Sequence, residues 1–391
     1  MKLENQTLYK KDYKPLNENK LSKKKFNLKN IIIIIAIICI FILLLFIRNN
    51  KNNIIINKQL ILSKKTDKSN QFDVEFFNEL KKILKEDEII ENEMMNHHTT
   101  FKIGGPAKYF VKPRSVDQII EIIHLCNKHK VNYFILGNGS NLLVSDEGYY
   151  GVVINIHENN FSNLEVKKED EKNYLVQVGG GMLMKTFAIE LCLLSITGLE
   201  DIIDIPGTVG GGIIMNVSFH SNALIKYLLK VKVITPEGIL KELNKEECGF
   251  IHRGSFLKDK KYLVVEATFK LEIGNKIVIQ KTMTDNTKKR YEKQPMYFGS
   301  AGCFFVWNHS KHGSMYEKYK ENNLVSYQVG NAMIYTYNIA FIVNLGKAKA
   351  SDVMGIVTHI EKIMKEKYKI EMRREVVTIG SFFFFNFIKK I

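Results

Sequence analysis

The residues of this chain best suited to hold a ligand lie in three glycine-rich turns, and the ligand they suit is a diphosphate. The longest turn falls in 198–216, GLEDIIDIPGTVGGGIIMN, where five glycines and Pro206 stand beside two apolar runs. Glycine tolerates φ > 0 and leaves bare backbone open to close approach. Pro206 fixes its own φ and has no N–H to donate. Successive N–H groups in such a turn converge into a hollow that binds anions. The second turn is 136–141, LGNGSN, and the third is the triple glycine 179–181; each follows a β-type run, 132–136 and 174–178. A single glycine turn is more often a plain surface loop, whereas three can converge on one ligand. None of them fits G-x-x-x-x-G-K-[ST], or G-x-G-x-x-G opening a βαβ unit, so neither a P-loop nor a Rossmann site is indicated.

Turns of this kind need stiff elements on either side. Apolar residues at helical spacing predict helices over 72–92 (Phe76, Leu80, Ile83, Leu84) and 116–130 (Ile119, Ile120, Ile122, Ile123, Cys126). A third helix over 182–194 would start from the triple glycine with its N-terminus set for a phosphate. A fourth, amphipathic, covers 352–367. Strands are expected over 132–136, 151–157, 174–178, 227–235 and 262–272. The mixed order, with hairpins, favours α+β over a doubly wound parallel sheet.

The chain has 391 residues, enough for two or three domains, and a net charge of +16. Residues 1–70 hold 15 of the 57 bases and 4 of the 41 acids, which leaves only +5 on the remainder. The basic excess therefore belongs mainly to the N-terminal segment, and no nucleic-acid partner is expected. Five scattered cysteines without a C-x-x-C argue against a disulfide scaffold and against a zinc or other metal site. From Ile31 to Ile47 runs an unbroken apolar stretch of 17 residues between lysines and Arg48, where a bilayer takes about 20. The expectation is a single-pass, membrane-anchored protein in preference to a soluble cytoplasmic one, with an organelle or secretory leader as runner-up. Residues 48–70 read as a polar linker.

The order TTFKIGGPAKYFV, LGNGSNLLVSDEGYYGVVI, GLEDIIDIPGTVGGGIIMN resembles the UDP-N-acetylenolpyruvoylglucosamine reductases, flavoenzymes that complete UDP-N-acetylmuramate for peptidoglycan. The likeness runs from about 99 to about 380. It implies two α+β FAD-binding subdomains of the vanillyl-alcohol-oxidase/PCMH type, over 71–275, and an α+β substrate-binding domain over 276–391. It also implies FAD as cofactor, NADPH as reductant and a nucleotide sugar as substrate. FAD would be held by Gly137, Asn138, Gly139, Ser140 and Asn141 in one turn, and by Gly207, Thr208, Gly210, Gly211 and Asn216 in another.

The reaction implied is hydride transfer from flavin to the methylene carbon of an enolpyruvyl ether. Charge then develops on the neighbouring carbon and its carboxylate, so a cation and a proton donor are needed there. By resemblance Arg253, in FIHRGS, matches the arginine of F-x-Y-R-x-S, and Glu375, in REVVTIG, the glutamate of P-E-V-x-x-I-G. Cys303, in GSAGCFF, stands where the family has a proton-donating serine. A thiol, with an ordinary pKa of about 8.5, is a competent acid. Other positions depart from the pattern. Val306 replaces a basic residue, Met333 a glutamine, Asn338 a histidine, Asp204 a small residue and His252 a tyrosine. The departures leave an alternative, an FAD protein whose substrate site has decayed or changed.

Overall fold

The stretch GVVINI lacks polar alternation, as a strand covered on both faces does. In the computed structural model, which describes residues 74–157, 161–219 and 222–382, this stretch lies in the first sheet. A helix over 74–83 (α1) leads into β1 (Ile89–Met94) and β2 (Pro106–Val111). Helix α2 (Val116–His129) crosses to β3 (Tyr133–Leu136), and β4 (Leu142–Val144) and β5 (Tyr149–Asn155) follow. Among the described residues the order is β1-β2-β5-β3, with β5 parallel to both neighbours and β1 antiparallel at the edge. Val152 and Ile154 pack with Phe76, Leu80 and Ile122, while Val153 faces Phe110, Leu136 and Val144. Ser115 caps α2 by accepting from the Gln118 N–H, and Lys130 ends it in the left-handed region.

The second sheet is antiparallel, in the order β12 (Leu240–Asn244), β11 (Leu228–Ile234), β13 (Leu263–Ile273), β7 (Asn173–Gly179), β6 (Leu164–Lys168), with β8 (Ile196–Thr197) on the end of β13. From Ala267 onward β13 alternates, burying Ala267, Phe269 and Leu271. Helices α3 (Met184–Leu193) and α4 (Val209–Ile214) close over that face through Phe187, Leu191, Val209 and Ile213. Burying each such side chain contributes about 1.5–3 kcal/mol. A short ribbon, β9 (Ser218–Phe219) with β10 (Asn222–Ala223), follows α4.

After α5 (Phe256–Asp259) and the long α6 (Lys276–Lys293), a third sheet runs β14 (Gly299–Cys303), β18 (Phe341–Asn344), β17 (Ala332–Ile334), β16 (Gln328–Val329). It packs on α8 (Met315–Glu321) and α9 (Ala350–Tyr368), and Phe101, Ile103 and Leu143 from the first part join the same core. Between them, β15 (Phe305–Val306) precedes α7 (His309–His312) and pairs with β19 (Arg373–Arg374). Finally β20 (Val377–Ile379) pairs in parallel with β4, so the end of the chain returns to the first turn.

Most of the expected elements form within a residue or two of the expected ends. The helix expected over 72–92 stops at residue 83; a 3-10 turn (Glu86–Glu88) follows, and β1 begins at Ile89. No helix was expected over 276–293, and the reason is visible in α6. It buries Ile279 together with two polar residues, Asn286 and Arg290, so it has no apolar stripe to read. The expected membrane-anchored location is withdrawn. Among the described residues no helix is long and apolar enough to cross a membrane, and the run 31–47 lies outside those residues. Cys39 lies outside them too, while Cys126, Cys192 and Cys248 are free and buried.

Candidate active site

The two long glycine turns touch. A Cβ on Gly137 would lie 2.7 Å from Thr208 Oγ1, and one on Gly207 would lie 3.2 Å from Ser140 Oγ. The backbone N–H groups of Asn138, Gly139, Ser140, Gly207 and Thr208 have no acceptor among the described residues. Five unpaired donors in two facing turns form a site for a diphosphate. The turns keep this shape because protein packs behind them. Gly139 (φ +61°) sits where a Cβ would come within 2.1 Å of the His98 carbonyl oxygen, and its own carbonyl accepts from the Thr100 N–H at 3.2 Å. Gly210 closes on the third turn. Its N–H donates to the Gly180 carbonyl at 2.9 Å, and a Cβ there would meet the Val264 and Gly180 oxygens at 2.9 and 3.0 Å.

That packing sharpens two readings of these turns. Of Gly207, Gly210, Gly211 and Gly212, Gly207 alone takes φ > 0 (+142°); the requirement at Gly210 is close packing of one turn on another. The first N–H of the helix after the triple glycine is not open to a phosphate, because the Met184 N–H donates to the Gly207 carbonyl at 3.0 Å. Thr208 caps α4 by accepting from the Gly211 N–H at 3.2 Å.

The chain also brings Arg253, Cys303 and Glu375 together. Ile251 and Gly254 bond to each other across a tight turn, in which Arg253 takes φ +56°. A left-handed arginine is uncommon, and such strain persists only where its surroundings impose it. Here Asn216 Nδ2 donates to the Ile251 carbonyl at 2.8 Å, and Ser255 Oγ donates to the Ile214 carbonyl at 2.7 Å. Arg253 Nε lies 3.7 Å from Glu375 Oε1, and Arg253 Nη1 donates to the Ser218 carbonyl at 3.5 Å. The Glu375 N–H donates to the Phe304 carbonyl at 2.9 Å, next to Cys303.

The segment that carries Glu375 is pinned to the first turn. Asn141 Nδ2 donates to the Glu375 carbonyl, and the Val377 N–H donates to the Asn141 carbonyl, each at 3.0 Å. Thr100 makes a second bridge. Its hydroxyl donates to the Ser300 carbonyl at 2.8 Å, and its carbonyl accepts from the Ser300 N–H at 3.2 Å. One residue thus joins Gly139 to the strand that ends in Cys303.

The environment retunes both acids. Burial pushes the Cys303 thiol up to about 11; Glu375 adds to the shift and Arg253 opposes it. Burial also raises Glu375 above the usual carboxylate value, while Arg253, Lys258 and Arg373 pull it back. Cys303 therefore stays protonated at neutral pH, as a proton donor must. Lys258 and Arg373 were missed from sequence. Lys258 follows Arg253 by five residues in a plain polar stretch, and Arg373 reaches the site only through the pairing of β15 with β19.

Comparison with known proteins fits this geometry. The FAD binding domain family matches residues 107–244, and the C-terminal domain family of UDP-N-acetylenolpyruvoylglucosamine reductase matches residues 294–379. A reductase of that name from Lachnoclostridium phytofermentans is 36% identical over 305 residues, covering 77% of this chain and 96% of the relative. The chain belongs to the UDP-N-acetylenolpyruvoylglucosamine reductase family. The Bacillus subtilis reductase is 38% identical over 296 residues, covering 75% and 94% of the two chains. The crystal structure of the Thermus caldophilus reductase aligns with a TM-score of 0.61 at 28% identity, over 75% of this chain and 98% of that one.

FAD is thus the cofactor, and the five unpaired N–H groups fit its diphosphate. Asn216, at φ +46°, adds a buried Oδ1 without a donor among the described residues. The positions that depart from the reductase pattern have local structural partners. Asn338 Nδ2 donates to the Lys293 carbonyl at 3.0 Å, Val306 pairs with Arg373, and Met333 pairs with Val343 and Gln328. Asp204 (φ +56°) binds Lys185 Nζ at 2.6 Å and Thr287 Oγ1 at 2.5 Å, tying α6 to the chain just before Pro206.

Proposed function

We propose that this chain reduces UDP-N-acetylenolpyruvoylglucosamine to UDP-N-acetylmuramate with NADPH, through FAD held by residues 71–275, with the substrate bound by residues 276–391. The single observation that carries the reading is the cluster of Cys303, Glu375 and Arg253 joined to the turn 137–141 through Asn141 and Thr100. FAD, when bound, supplies the hydride that NADPH gives up. The chain's own residues do the rest. Gly137, Asn138, Gly139, Ser140, Asn141, Gly207, Thr208, Gly210, Gly211 and Asn216 form the cofactor turns, with free N–H groups for the diphosphate at five of them. The Cys303 thiol gives its proton to the carbon beside the carboxylate, so that one hydride and one proton add across the double bond. The Arg253 guanidinium stands ready for the negative charge that develops before that proton arrives. The Glu375 carboxylate lies 3.7 Å from Arg253 Nε and orients the guanidinium.

Anaerobic half-reactions test this reading. NADPH should bleach the flavin of the purified protein, and the enolpyruvyl nucleotide sugar should then restore the colour. Bleaching without reoxidation would reject this substrate, and a folded but colourless protein would reject the flavin assignment.

A further inference from the structure

The turn that carries Arg253 is gripped at both of the carbonyls that precede that residue. Asn216 Nδ2 donates to the Ile251 carbonyl at 2.8 Å, and Arg373 Nη2 donates to the His252 carbonyl at 2.9 Å. The two grips come from distant parts of the chain. Asn216 follows α4 and the glycine turn, whereas Arg373 lies on β19, two residues before Glu375. That strand is itself fixed. Arg374 and Arg373 pair with Phe305 and Val306, and Arg374 Nε and Nη2 donate to the two carboxylate oxygens of Glu361 on α9 at 2.6 and 2.8 Å.

The His252 carbonyl is the group that decides the shape of this turn. Ile251 to Gly254 form a four-residue turn, closed by the Gly254 N–H on the Ile251 carbonyl at 3.2 Å. Of its two central residues Arg253 alone takes a positive φ, +56°, which is the pattern of a type II turn. Types II and I differ by a flip of the central peptide. The flip reverses the carbonyl of the second residue and returns the third to a φ of about −90°. For a third residue other than glycine, here Arg253, the type I form is ordinarily preferred. A donor fixed in front of the His252 carbonyl opposes the flip, because flipping would take its acceptor away. The turn is thus held in the form that sets Arg253 Nε 3.7 Å from Glu375 Oε1.

We infer that Arg373 is a positioning residue for the reduction, which by its bond to the His252 carbonyl keeps Arg253 in the left-handed form that presents its guanidinium to the developing charge. The inference rests on the proposed function, and it adds a residue outside the Arg253–Cys303–Glu375 set that acts only through Arg253. Arg373 also acts on Glu375 by its charge, and the test separates that effect from positioning.

The FAD-loaded protein is reduced with NADPH, and its anaerobic reoxidation by UDP-N-acetylenolpyruvoylglucosamine is followed in wild type, Arg373→Met, Arg253→Ala and the double variant. Methionine keeps an unbranched stem without a donor. Arg373→Met should bleach with NADPH as fast as wild type and reoxidise about tenfold more slowly, in the range for a lost hydrogen bond from a charged donor. In the Arg253→Ala background the same substitution should change reoxidation by less than about twofold, because nothing is left to position. The tenfold ratio should also persist at about 0.5 M salt, where the field of an exposed charge is screened. A ratio that collapses in salt would overturn positioning in favour of a through-space charge. A tenfold loss that persists without Arg253 would overturn it in favour of a general structural role. Reoxidation of Arg373→Met at the wild-type rate would remove the residue from the reaction. A wild-type protein that bleaches but is not reoxidised by this substrate would overturn the parent function, and this inference with it.

Discussion

In the turns 137–141 and 207–208 the groups left open to a ligand are backbone N–H groups, and side chains matter mainly by their absence. Around Cys303 the groups proposed to do the chemistry are side chains, supplied by three segments separated by 50 and 72 residues in sequence. The turns are rigid because backbone packs on backbone, as at Gly139 against His98 and Gly210 against Gly180. The side-chain cluster depends on tethers: the strained turn of Arg253, the pairing of β15 with β19, and Asn141 reaching the Glu375 carbonyl. A substitution in a turn should therefore act all at once, through loss of cofactor and fold. A substitution in the cluster should act on one chemical step.

The largest effect is expected at Gly139. Gly139→Ala places a Cβ 2.1 Å from a backbone oxygen at a left-handed position, where neither partner can yield. The protein should lose its flavin entirely, and visible absorbance after purification reads this directly. A yellow Gly139→Ala protein would break the contrast between the two regions.

Cys303→Ala should leave bleaching by NADPH close to wild type and slow reoxidation by substrate about 10²–10⁴-fold, the usual cost of a lost general acid. Cys303→Ser should keep most of the activity. Equal slowing of both half-reactions would mean that the cluster also supports the cofactor, and the comparison would fail from the other side.

The raised thiol gives a pH test of the same residue. With its pKa at about 11, reoxidation should hold steady up to about pH 10 and fall only beyond that. Alkylation by iodoacetamide should be slow at neutral pH and quicken about tenfold per unit as thiolate forms. A basic limb near the ordinary thiol value of about 8.5 would show that the pocket does not desolvate Cys303.

The smallest effect is expected at Asp204, which ties α6 to the chain just before Pro206. Asp204→Ala removes the partner of Lys185 and Thr287 and should cost about 1–3 kcal/mol of stability, measurable by urea unfolding. Burial tends to raise this carboxyl, but Lys185 and Thr287 outweigh it and the net shift is downward. Its contribution is therefore complete above the ordinary aspartate value and is lost as the pH falls through the lowered native one. A wild-type and variant pair whose stability difference stays constant down to the acid range would remove the ion pair from the account.

The glycine turns, the elements flanking them and the α+β class were legible in the residues, because turn chemistry and apolar periodicity are local properties; the family was legible only through the resemblance of its motifs in their order. Motif order also singled out Arg253, Cys303 and Glu375, but not what surrounds them. No local pattern announces that Arg253 is left-handed, that burial would lift the Cys303 thiol, or that Lys258 and Arg373 would join Glu375. Helix α6 was illegible for a related reason, since Asn286 and Arg290 are buried against Asp201 and Asp204 rather than against an apolar stripe. The motif TTFKIGG was part of the resemblance, but the bridge that Thr100 makes between Gly139 and Ser300 appears only when both partners are in place. The sequence by itself determined which turns the backbone makes and which face of each element is apolar. The tertiary structure alone decided the acidities and the cation cluster, because desolvation and Coulomb interactions depend on distances between groups that the chain brings together only on folding.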